Sequence, residues 1–94
     1  MLNDQAQSFI TRIIQEQETV IGPLAWEEAS KVSGLQIDLN NHGINLEGNT
    51  TEIIEKLVAQ YENLFGRASR EVCRAAVRPL LSQIPADQIP AVLK

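Results

Sequence analysis

Apolar residues recur at three- and four-residue spacing through Phe9, Ile10, Ile13, Ile14, Val20 and Ile21, with Gln15, Glu16 and Glu18 on the polar side. That period predicts a first helix with one buried stripe. Asn3 or Asp4 can cap its first turn, the stripe fades at Gln17, and Gly22-Pro23 ends it because proline cannot continue the ladder. Pro23 also suits the first turn of a new helix, where a missing N–H is no loss. A second helix is therefore expected over residues 23–33, burying Leu24, Ala25, Ala29 and Val32 with Trp26 at its flank. Glu27 and Lys31 have the spacing of an i,i+4 ion pair, and Gly34 suits a left-handed cap.

The period then drops to two. Leu35, Ile37 and Leu39 alternate with Gln36, Asp38 and Asn40, and Ile44 and Leu46 alternate with Asn45 and Glu47. Between the runs stand Asn40, Asn41, His42 and Gly43, residue types that tolerate positive φ. The pattern predicts one β-hairpin within residues 35–47, with strands near 35–39 and 44–47. Leu35, Ile37 and Leu39 are expected beneath the first and third helices. An isolated hairpin is marginal in water, so its apolar face must pack on helices or on a second copy of itself.

Asn49 stands three residues before Glu52, a capping-box spacing. It opens a third helix, Thr50–Phe65, whose buried face is Ile53, Ile54, Leu57, Val58, Tyr61, Leu64 and Phe65, ended by Gly66. A fourth helix starts at Ala68 or Ser69 and runs to about Gln83, burying Val72, Cys73, Ala76, Val77, Leu80 and Leu81. Pro79 is expected to kink it near residues 75–78. The fold class is α+β: a mostly helical single domain over residues 1–94, in the order α-α-β-β-α-α, with residues 85–94 as a loosely packed tail.

Composition adds limits. Forty-four per cent of the residues are hydrophobic and 21% charged, as in ordinary globular chains. A lone Cys73 excludes an internal disulfide and fits a reducing, cytoplasmic setting. No basic segment followed by an apolar run opens the chain, and no apolar stretch approaches ~18 residues, so neither a signal peptide nor a membrane span is expected. The net charge of −4 is unevenly spread. Residues 1–66 carry three bases against ten acids, a net −7, whereas residues 67–94 carry five bases against two acids, a net +3.

Candidate chemistry is sparse. A nucleophile needs a base within hydrogen-bond reach, and the only thiol, Cys73, lies on an apolar helix face while the only imidazole, His42, sits in a turn. One His, one Cys and scattered acids do not make a zinc or calcium ligand set. Phosphate-cradle and nucleophile-elbow motifs are missing. The chain is therefore read as no enzyme, with no cofactor and no metal.

The arginines are more informative. At 100° per residue, Arg67, Arg70, Arg74 and Arg78 project at about 0°, 300°, 340° and 20°, one narrow stripe opposite Val72, Ala76 and Leu80. Guanidinium forks bind carboxylate and phosphate in two-point contacts, so the stripe can grip an acidic protein or a nucleic-acid backbone. It can equally pair with the chain's own acidic body and Glu71. An overall negative charge and few aromatic residues disfavour nucleic acid. Trp26 is the remaining candidate for partner binding, as either a core residue or an interface anchor.

Val20-Ile21-Gly22-Pro23-Leu24-Ala25 resembles the I-G-P-hydrophobic-A element near the C-terminal ends of some bacterial signalling chains. These include certain serine/threonine kinases and chains with roadblock-type or response-regulator modules. The element is there a helical segment outside the catalytic domain, and the helix carrying Glu52, Leu57 and Tyr61 is loosely similar. The resemblance covers six residues and implies an accessory domain in bacterial signalling. The sequence thus leads to a non-catalytic, cytoplasmic protein-interaction module, binding an acidic partner through the arginine stripe and forming a homodimer. A nucleic-acid-associated regulator is the alternative, and a small enzyme the third reading.

Overall fold

A computed structural model describes residues 3–83, 89–90 and 93. Helix α1 spans Asn3–Ile21, and its buried stripe is Ala6, Phe9, Ile10, Ile13, Ile14 and Gln17. The stripe does not fade at Gln17: that amide is only 1% exposed, because hydrogen bonds compensate its burial. Val20, on the same side but in the last turn, is 64% exposed. Gly22 adopts φ +75° and donates its N–H to Glu18 O at 2.8 Å, which closes α1 at the expected corner.

Helix α2 is shorter than its pattern predicted, running only over Leu24–Ala29. Ser30 Oγ donates to Glu27 O at 2.6 Å, and Lys31 and Val32 bond backward three residues instead of four. A hydroxyl competing for a helix carbonyl and the tighter turn together end the α-ladder there. Lys31 consequently reaches Glu28 at 2.9 Å and not Glu27, and Leu24 is partly exposed. Gly34 lies in the turn beyond, where a Cβ would stand 2.6 Å from Glu47 O, so only glycine admits this approach of the two strands.

Strands β1 (Leu35–Asp38) and β2 (Gly43–Leu46) pair antiparallel, Leu35 opposite Leu46 and Ile37 opposite Ile44. Leu35 and Ile44 are buried, and Ile37 and Leu46 half-buried on the same face. Leu39 lies outside β1, in the turn, and is 49% exposed instead of buried. The turn is held by Asp38 Oδ1 accepting from Asn40 N–H and by Asn41 Oδ1 accepting from Gly43 N–H. Its positive φ falls on His42, at +59°.

Helix α3 covers Thr50–Phe65 with Asn49 Oδ1 accepting from Glu52 N–H at 3.0 Å, as the capping spacing implied. Ile53, Ile54, Leu57, Val58 and Tyr61 are buried, but Leu64 is 51% exposed. Helix α4 spans Ala68–Val77 and gives way to a 3-10 helix, Arg78–Gln83. The expected kink at Pro79 is thus a change of helix type, since proline supplies no N–H to the α-ladder. Val72, Leu80 and Leu81 are half-buried, and Ser69 joins Cys73, Ala76 and Val77 inside.

The helices pack in a closed cycle: α1 lies against α4 and α2, and α3 against the same two. The hairpin covers this core by seating β2 on α1 and β1 on α2. Gln7 Nε2 donates to Ile44 O across the first contact, and Tyr61 O–H donates to Ala25 O at 2.6 Å between α3 and α2. Of the tail, Ile89, Pro90 and Leu93 are described, and all three are buried. Ile89 and Leu93 join the main apolar cluster. The order α-α-β-β-α-α is that of the sequence reading.

Candidate functional site

The four arginines sit where Gly66 turns α3 into α4. Ser69, Cys73, Ala76 and Val77 take the inner face of α4, so Arg67, Arg70, Arg74 and Arg78 are left on its outer side. Arg67 precedes the helix and Arg78 begins the 3-10 segment; both are exposed, and among the described residues neither guanidinium has an acidic partner.

The central two are engaged within the chain. Arg70 Nη2 donates to Glu62 Oε1 at 2.9 Å, and its Nε lies 2.6 Å from Oε2 without the alignment of a hydrogen bond, an ion pair bridging the α3–α4 corner. Arg74 Nη1 stands 3.3 Å from Glu71 Oε1, one turn away on its own helix. Four guanidinium groups against two carboxylates leave this face cationic, in a chain whose other parts are acidic. A guanidinium fixed by one carboxylate keeps N–H donors for another, so the face can receive carboxylate or phosphate groups.

Trp26 lies elsewhere, on α2. Its ring is 3% exposed and is covered by the imidazole of His42, with centroids 3.8 Å apart and planes 9° from parallel. The hairpin turn therefore folds back onto α2, an arrangement that no periodicity in the sequence announces. Beside this stack a cleft of about 130 Å³ is lined by Glu18, Pro23, Trp26, Glu27, Leu39 and His42.

Cys73 and His42 are placed in different settings. Cys73 is buried where α1 meets α4 and accepts from Gln17 Nε2 at 3.4 Å. Burial pushes its thiol up to about 11, with the Gln17 bond pulling weakly the other way, so the thiol stays protonated at neutral pH. Glu28, by contrast, is held below the usual carboxylate range by hydrogen bonds from Lys31 and Gln60. Among the described residues no three His, Cys, Asp or Glu side chains are grouped to hold a metal ion, and no helix is long and apolar enough to cross a membrane. No family model matches the chain, and no curated protein or solved structure is significantly similar to it.

Proposed function

We propose that this domain is a non-catalytic protein-interaction module and that the arginine face of α4 receives an acidic partner. The observation that carries the reading is the exposure of Arg67 and Arg78 at the two ends of a cationic face. Between them, Glu62 holds Arg70 in one orientation. Ordering a long side chain before binding removes part of the entropy cost of engaging it. Arg67 and Arg78 then supply charge that steers the partner and sets its register. The six-residue resemblance at Val20–Ala25 suggests bacterial signalling or regulation as the setting, where such a domain acts as an accessory unit.

Arg67 and Arg78 are the positions to reverse, because neither takes part in a described internal pair. A capped hexaglutamate peptide should shift the amide resonances of α4 in the parent protein, with affinity falling steeply as salt rises. The Arg67→Glu/Arg78→Glu variant should keep its melting temperature and lose that response. An unchanged response in a folded variant removes the arginine face from the account. Tighter binding of a short DNA duplex than of the peptide would replace the reading with a nucleic-acid regulator.

A further inference from the structure

We propose that the cleft beside the Trp26–His42 stack is a receptor for one basic side chain, a lysine or arginine, presented by a partner protein. Its walls come from three elements. Glu18 lies on α1, Trp26 and Glu27 on α2 with Pro23 just before it, and Leu39 and His42 in the hairpin turn. The Gly22 corner, at φ +75°, turns α1 into α2 between the two glutamates. The volume, about 130 Å³, falls short of the roughly 300–1,000 Å³ of a site for a drug-sized molecule and suits a single side chain.

The lining chemistry matches a long cationic side chain in both its parts. Pro23, Leu39 and the edge of Trp26 are apolar and suit a methylene stem, while Glu18 and Glu27 suit its charged head. Among the described residues neither carboxylate has a cationic partner. The base nearest Glu27 in sequence, Lys31, is held by Glu28 at 2.9 Å. Residues 1–66 carry a net −7, so the surrounding field also favours a cation.

One further feature sets this corner apart. His42 covers the indole from a left-handed backbone conformation, which few non-glycine residues adopt and which tends to gather at binding sites. The outer imidazole face is exposed, and a planar guanidinium can stack on it.

Trp26 is the only tryptophan, so its indole N–H gives one nitrogen–proton correlation peak that reports on the cleft directly. The probes are capped Gly-Gly-Arg-Gly-Gly and its Glu- and Leu-centred counterparts. The arginine peptide should shift the indole peak and the Leu39 and His42 amides saturably, with a dissociation constant on the order of a millimolar. The other two peptides should not. Glu18→Gln/Glu27→Gln should weaken the response about fivefold, and Glu47→Gln/Glu55→Gln, which changes net charge equally, less than about twofold. Arg67→Glu/Arg78→Glu should retain it, which separates this site from the arginine face. An equal response to the leucine peptide would overturn the proposal, as would equal weakening by the two glutamine pairs or no saturable shift.

Discussion

Gln17 Nε2 lies 3.4 Å from Cys73 Sγ and 3.0 Å from Ser69 O, joining α1 to the first turns of α4 from inside the core. A side chain 1% exposed carries its full desolvation cost unless such bonds form. Gln17→Ala removes the bonds and leaves a cavity, and should lower unfolding free energy by about 2–3 kcal/mol. Gln17→Met keeps the volume without the buried donors and should cost under about 1.5 kcal/mol. Urea titration of both variants checks the ranking. Equal losses would mean that the hydrogen bonds, and not the filled space, dominate.

The alkaline limb of stability follows from two buried acids. Burial raises Tyr61 above its ordinary value of 10.0, and raises the Cys73 thiol from 9.0 to about 11. Folding favours the neutral form of each, so their contribution is complete below about pH 9 and is lost as pH rises through 9 to 11 and beyond. The melting temperature should hold steady from pH 7 to about pH 8.5 and then decline. Tyr61→Phe should start lower, having lost its bond to Ala25 O, yet decline less steeply. A parent protein as stable at pH 11 as at pH 8 would contradict the burial of both groups.

Leu57 and Leu64 lie two turns apart on α3 and separate core from surface. Leu57 is fully buried, so Leu57→Ala should cost about 2–4 kcal/mol, a large part of a small domain's stability. Leu64 is 51% exposed, and Leu64→Ala should stay within about 1 kcal/mol. Thermal melts that rank the two in the opposite order would reject the placement of α3.

What the sequence made legible was whatever one residue could signal locally. Asn49 and Gly66 bound α3 because a cap and a left-handed stop act within one turn. The hairpin was legible for the same reason, through alternation and a short polar turn. The errors arose where neighbours decided. Gln17 looks polar in isolation and is buried because Ser69 and Cys73 receive its amide. Leu39 and Leu64 look like core and are exposed because no element among the described residues covers them. The site divides the same way: helical period placed four arginines on one face, but Glu62, eight residues before Arg70, meets it only after the Gly66 corner forms.

Self-association is expected through the free strand edge. The Ile44 carbonyl of β2 is taken by Gln7, whereas on β1 the Leu35 N–H is taken by Val32 O and, among the described residues, Ile37 is the outward position left for a second copy. We predict a two-fold dimer that pairs β1 strands into a four-stranded sheet. Sedimentation at tens of micromolar should give twice the chain mass of 10.4 kDa. Ile37 stands opposite Ile44 at a non-hydrogen-bonded position, so its N–H faces outward, and Ile37→Pro, which removes that donor, should return the protein to monomer. A parent that sediments as a single chain at that concentration defeats the idea.

The Arg70–Glu62 pair decides how any experiment on the arginine face must be read. It has one well-formed hydrogen bond, from Nη2 to Oε1, beside a close Nε–Oε2 approach that is not aligned as one, and the side chains are 39% and 29% exposed, so solvent screens the attraction. A double-mutant cycle with Arg70→Ala and Glu62→Ala should therefore give a coupling of about 1 kcal/mol or less, shrinking in high salt. Reversing Arg70 to Glu would set two carboxylates against each other at the α3–α4 corner and lower the melting temperature as well as any binding. Reversing Arg67 and Arg78 avoids that confusion, because neither stands in a described internal pair. If Arg70→Gln weakens hexaglutamate binding while the melt moves by less than a degree or two, the guanidinium serves the partner directly. If binding falls only in step with the melt, Arg70 acts through the fold, and the partner-facing role passes to Arg67 and Arg78.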